Sequence, residues 1–210
     1  MWRVLISLTL SSALYGFTIG SGHSWLYASR NLIKFPLLIL TTGAICALAY
    51  FVLARFLAPR LSFRDVQKLV VLLFRDTSVL LASLSPVSFF LAMTMVQPAG
   101  DDLGEYPLIQ GINVVLIAIC GSIALVRQAQ TLLRDHGLGR AVSTSIIIGW
   151  LALSLFTGGQ GAWYMRPFFG IASRREANPP FFLGTAPDFR GARNFYEAVY
   201  NLVEPPPRNR

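Results

Sequence analysis

Residues 35–57 read FPLLILTTGAICALAYFVLARFL, and from Phe35 to Ala54 no side chain carries a formal charge. A helix that crosses a hydrocarbon layer about 30 Å thick needs roughly 20 apolar residues, so this stretch is long enough to span a bilayer by itself. The rest of the chain agrees in kind. Of the 210 residues, 54% are apolar and only 13% are Asp, Glu, Lys or Arg. Soluble domains carry roughly 25% charged residues. So few charges cannot cover the surface of a water-soluble globule of this size, which argues against a soluble enzyme. It also removes intrinsically disordered and disulfide-stapled classes. An all-α integral membrane bundle is the fold class expected.

Four further apolar runs flank the first. Val4–Ile19 follows Trp2 and Arg3 and is read as an uncleaved first span. Thr77–Met95 and Pro107–Val126 lie on either side of an acidic connector holding Asp101, Asp102 and Glu105. Ala141–Trp163 closes the series, ending in Gly158-Gly159-Gln160-Gly161, read as helix fraying. The expected spans are therefore about 4–19, 35–57, 77–95, 107–126 and 141–163. Residues 1–165 form the bundle and 166–210 an aromatic, Pro- and Arg-rich tail, interfacial or partly disordered. No repeat of the five-span unit is visible, which weighs against an inverted-repeat transporter.

Two amphipathic segments are expected beside the spans. Ser24–Lys34 carries Trp25, Tyr27, Arg30 and Lys34, the composition of a headgroup layer. Ser62-Phe63-Arg64-Asp65 has the hydroxyl and carboxylate three apart that cap a helix start, which predicts an amphipathic helix over about 62–76. It lies on the membrane surface or extends a span into water. Small residues recur at helical spacing, namely Gly43 with Ala47, the series Ser78, Ala82 and Ser85, and Gly149, and such faces let helix backbones approach closely. Pro86 removes a backbone donor and should bend the third span.

Basic residues sort to one side. If the chain alternates through five spans, Arg3, Arg55, Arg60, Arg64, Lys68, Arg127, Arg134 and Arg140 share a side, and the acidic connector takes the other. This is the positive-inside pattern, with the N-terminus cytoplasmic and the C-terminus outside. The net charge of +8 is thus accounted for without nucleic acid.

Catalytic patterns are missing. No pair of zinc-spaced histidines, no paired aspartates in facing spans and no phosphate-cradling loop occurs, so no catalytic residue, metal or cofactor is expected. His23 and His136 read as surface histidines, Cys46 and Cys120 as small buried side chains. Two places remain as candidates. Arg75 and Asp76 are ionisable groups beside an apolar core and, with Pro86, form a possible intramembrane polar site. As adjacent helical residues they are not expected to face each other. Trp163, Tyr164, Arg166, Phe168 and Phe169 combine aromatics with a guanidinium, which suits contact with a partner or lipid headgroup.

Three short stretches, Leu26–Leu40, Arg60-Leu61-Ser62-Phe63-Arg64 and Leu84-Ser85-Pro86-Val87, resemble the Yip1-like multi-pass membrane proteins, and Trp163–Gly170 resembles a bacterial group of similar build. The resemblance implies five spans, a cytoplasmic N-terminus, a bacterial inner or plasma membrane location and no enzymatic activity. A non-catalytic scaffold or accessory subunit that binds a membrane-protein partner or a second copy of itself, or organises the lipid bilayer, is the function expected. A small transporter or channel subunit using Arg75, Asp76 and the Pro86 bend is the alternative, and an intramembrane enzyme a distant third.

Overall fold

The computed structural model describes residues 2–22, 24–95, 106–168, 180–187 and 191–203. Among these the chain is all-helical: α1 Trp2–Ser21, α2 Trp25–Leu57, α3 Phe63–Ser83, α4 Ser85–Met95, α5 Tyr106–Asp135, α6 Arg140–Met165 and α7 Phe195–Val203. Four of them, α1, α2, α5 and α6, are long and apolar enough to cross a membrane, and α3 with α4 makes a fifth if the bent pair counts as one span. Asp101, Asp102, Glu105, His23, Phe169 and the chain after Val203 lie outside the described residues.

The long helices alternate in direction, so each end of the bundle collects a fixed set of termini. One end, the basic end, gathers the end of α2, the start of α3, the end of α5 and the start of α6, with the start of α1 set back from it beside Arg75. There Phe51 meets Phe63 edge to face at 5.3 Å, and His136 lies 3.7 Å from Asp65. The other, the tail end, gathers the turn between α1 and α2, the ends of α4 and α6, and the segment after Met165. The core runs between them through Leu8, Tyr15, Phe35, Cys46, Tyr50, Leu81, Leu125 and Trp150. Cys46 and Cys120 are buried free thiols.

Local chemistry explains where the helices start and stop. Ser62 caps α3 by accepting from the Asp65 N–H, while the Asp65 carboxylate accepts from the Ser62 N–H and hydroxyl. From that cap the helix runs unbroken through Ser83, so the amphipathic segment expected over 62–76 and the first turns of the run at Thr77 are one rod. Apolar residues on a single stripe, Val66, Val70, Leu73 and Leu81, hold it to the core from end to end. The rod stops at Leu84, where α4 turns away by 50°. Pro86 stands in the first turn of α4, where its missing N–H costs least, and it cannot donate to the Ala82 carbonyl to extend α3. The hydroxyls of Ser83 and Ser85 bond back to the Leu80 and Leu81 carbonyls beside the break.

One expectation is refined and one corrected. Ser24–Lys34 forms the first turns of α2, which is continuous from Trp25 and capped by Ser24, and within it Asn31 and Lys34 are buried. Charge density near an apolar run reads as an interface, but here the tail covers the charge. Gly158–Gly161 does not fray. A Cβ on Gly159 would stand 2.7 Å from the Phe195 ring and one on Gly161 3.0 Å from Leu38, so these glycines open the surface of a continuous α6 to α7 and α2.

The tightest helix pair uses residues absent from the small faces expected above. A Cβ on Gly16 would lie 2.4 Å from the Asn31 carbonyl oxygen, and one on Gly20 2.7 Å from the Tyr27 backbone. Gly16-Phe17-Thr18-Ile19-Gly20 therefore lets α1 and α2 touch backbone to backbone. The expected faces are used more loosely. Gly43 faces the Phe74 ring of α3 and Gly149 receives the end of Leu53. Ser78 and Ser85 are buried, and Ala47 and Ala82 are half-buried.

Candidate functional site

At the tail end the helix α2 offers two polar side chains, three residues apart, on one face. Asn31 Nδ2 donates to the Phe168 carbonyl at 2.5 Å and Lys34 Nζ donates to the Pro167 carbonyl at 2.9 Å. The ammonium lies among three rings, 4.8 Å from the centre of Phe181, 5.6 Å from Phe182 and 5.9 Å from Phe168. A buried cation needs compensation for lost water, and ring faces together with a carbonyl supply it. Lys34 is 1% exposed, so the compensation is entirely internal.

The segment after α6 is folded to deliver those groups. The Leu183 N–H donates to the Arg166 carbonyl and the Gly184 N–H to the Tyr164 carbonyl, which brings 181–184 back alongside 164–166. Gly184 takes a positive φ of 57° at this turn, a conformation glycine adopts without strain. The Arg166 guanidinium stacks on the Trp163 ring and donates to the Ala186 carbonyl. Phe168 packs on Phe35 at 6.4 Å. Of the residues expected to contact a partner, Trp163 and Phe168 are thus buried against their own chain, Arg166 is bound to the returning segment, and Tyr164 is exposed. Helix α7 then lies on α6. Asn194 and Glu197 cap it, Tyr196 stacks on Phe156 at 5.8 Å, and the Tyr196 hydroxyl donates to the Leu155 carbonyl. The Asn-x-x-Glu spacing before an aromatic run is a cap signal that could have placed this helix from sequence.

Toward the basic end stands the other candidate. Contrary to expectation, Arg75 and Asp76 do pair: Arg75 Nε donates to Asp76 Oδ1 at 2.8 Å, with Nη2 on the same oxygen. A long guanidinium can curl around the helix to a neighbour that a short side chain could not reach. Asp76 Oδ2 accepts from Gln128 Nε2 of α5 at 2.5 Å, so both carboxylate oxygens are occupied. Arg75, Asp76 and Val79 form one wall of an open cleft of about 320 Å³, and Arg3, Val4 and Ser7 of α1 form the other. Pro86 takes no part in it.

Beyond the level of Arg3, α3 continues for three turns back to Phe63, about 18 Å at 1.5 Å per residue. This first part of α3, packed on the end of α2, holds Asp65, whose carboxyl is kept below the usual carboxylate range mainly by hydrogen bonding from Ser62, with His136 and Lys68 adding attraction. No three His, Cys, Asp or Glu side chains among the described residues converge as metal ligands would.

Comparison with known proteins gives no match: no family model fits the chain, and no curated sequence or solved structure is significantly similar to it.

Proposed function

We propose that the chain is a multi-pass membrane protein with a non-catalytic role, a scaffold or accessory subunit that docks other membrane helices or organises lipid. One observation carries this reading: the apolar helices are mostly bare. In the most apolar stretch of α6 only 11% of residues are buried within the chain, and Ile148, Leu155 and Phe156 are exposed on it. Leu37, Leu40 and Ile45 of α2 and Val115, Ile119 and Ile123 of α5 are likewise uncovered. A solvent-facing apolar surface on this scale is untenable in water but costs nothing against lipid tails or a partner helix. The polar groups on these helices suit that setting, since hydroxyls of Thr77, Ser78, Ser122 and Ser145 bond to carbonyls of their own helix.

In this reading the basic end faces the cytoplasm and the tail end the outside, following the Arg and Lys distribution. The Yip1-like resemblance agrees with it through short motifs only. The scaffold role predicts that the full chain, extracted in mild detergent, carries a second membrane protein, a second copy or bound lipid through size-exclusion chromatography. A lipid-free monomer with no companion would remove it.

A further inference from the structure

We infer that the cleft between α1 and α3 at the basic end binds the phosphate of an anionic phospholipid, whose acyl chains follow the exposed apolar stripe of α1. The inference rests on the membrane reading above and adds the class of ligand.

Charge comes first. Arg3 is exposed and pairs with no described residue. Arg75 spends Nε and Nη2 on Asp76, which leaves the Nη1 donors free, and its side chain is 34% exposed. Asp76 cannot reject an anion as an isolated carboxylate would, because Arg75 and Gln128 already occupy its two oxygens. Two guanidiniums against one carboxylate leave a single positive charge in excess, which matches a phosphodiester of charge −1. Planar guanidinium donors suit phosphate oxygens better than an ammonium does, and the Ser7 hydroxyl adds another donor on the same wall.

Shape selects a lipid over a free anion. Val4 and Val79 make the remaining walls apolar. From Arg3 the residues Ser7, Leu10 and Leu14 follow at four-, three- and four-residue steps, hence on one stripe of α1, and both leucines are exposed. Arg3 to Leu14 spans about 16 Å of helix, close to one leaflet of a hydrocarbon core about 30 Å thick. Head site and chain track therefore have the proportions of one phospholipid in the leaflet at the basic end, with Trp2 exposed at the headgroup level beside it.

The test is native mass spectrometry of the full chain in detergent with equal amounts of dioleoyl phosphatidylglycerol and dioleoyl phosphatidylcholine. The wild-type chain should hold phosphatidylglycerol at least about five-fold over phosphatidylcholine, the scale of one positive charge near an anionic headgroup. Arg3→Gln should bring the two near parity, whereas Arg64→Gln, at the same end but outside the cleft, should not. Arg75→Gln should act in the same direction, but because it also unpairs Asp76 the exposed Arg3 is the decisive position. Equal retention of both lipids by the wild type, or undiminished preference in Arg3→Gln, overturns the inference. Displacement of phosphatidylglycerol by inorganic phosphate alone would mark a free-anion site and also overturn it. Alkaline carbonate washing of the source membranes separates the two levels: a chain left in the pellet with no lipid preference defeats only the lipid site, and a chain released into the supernatant defeats the membrane reading beneath it.

Discussion

At the tail end α1 and α2 meet backbone to backbone across Gly16 and Gly20, and the segment after α6 is held by carbonyls bonded to Asn31 and Lys34. Toward the basic end the same α2 meets its neighbours through large side chains instead. Tyr50 stacks on Trp150 at 4.9 Å, the Trp150 Nε1 donates to the Tyr50 carbonyl, and the Tyr50 hydroxyl bonds to Ser154. The difference teaches where each end can yield. Side chains can repack around a change, whereas two backbones in contact cannot make room for even a methyl group. The tail end is accordingly specified by what is missing from its residues, and the basic end by what is present.

The strongest way to break the contrast is Trp150→Ala. Trp150 is fully buried, and its loss should cost about 3–5 kcal/mol. Hydrogen exchange should then rise around Tyr50 and Ser154 while the Gly16–Asn31 contact stays protected. Next comes Gly20→Val, which drives a branched side chain into the Tyr27 backbone and should cost about 3 kcal/mol in reversible denaturation in detergent. It should also expose the tail to limited proteolysis by shifting the helix that carries Lys34. A smaller effect is expected at Ser62: Ser62→Ala removes the α3 cap and should cost about 1 kcal/mol, confined to the first turns of α3.

The same cap gives the contrast a pH dependence. Because the Asp65 carboxyl is held below its ordinary range, its contribution is complete above the unfolded value near 4 and is lost as pH falls through the lower folded value. Exchange protection at the start of α3 should therefore fall in acid, and Asp65→Asn should flatten that response without touching the tail end. The smallest effect has the opposite sign. Nothing stands within 4 Å of a Cβ at Gly111, so Gly111→Ala should stabilise α5 by up to about 1 kcal/mol, sharpening the distinction between packed and idle glycines.

The helical cores were legible because lipid-length apolar runs depend on composition alone: Val4–Ile19, Phe35–Leu57, Pro107–Val126 and Ala141–Trp163 each lie inside a single helix. The Ser62 cap was legible for a related reason, since its partners are three residues apart. Lys34 was misread because its burial is decided by Pro167, Phe168, Phe181 and Phe182, more than 130 residues away, which no local window contains. The pairing of Arg75 with Asp76 was missed by treating helical neighbours as short side chains. Gly16 and Gly20 were within reach, as the four-residue spacing of glycines in an apolar run is itself a packing signal. The glycines at 158, 159 and 161 carried the same residue type, but their role depends on Phe195, Leu38 and Thr42 arriving from elsewhere in the chain.

In the proposed membrane reading the two contrasted ends lie on opposite sides of a bilayer. Single cysteines placed at Arg134 and at Thr185, which is exposed in the turn held at the end of α6, in a background with Cys46 and Cys120 replaced by Ala, can be labelled with a membrane-impermeant maleimide in sealed cells before and after permeabilisation. The Thr185 position should label in intact cells and the Arg134 position only after permeabilisation. Equal labelling of both positions in intact cells, or of neither until the membrane is opened, would contradict it.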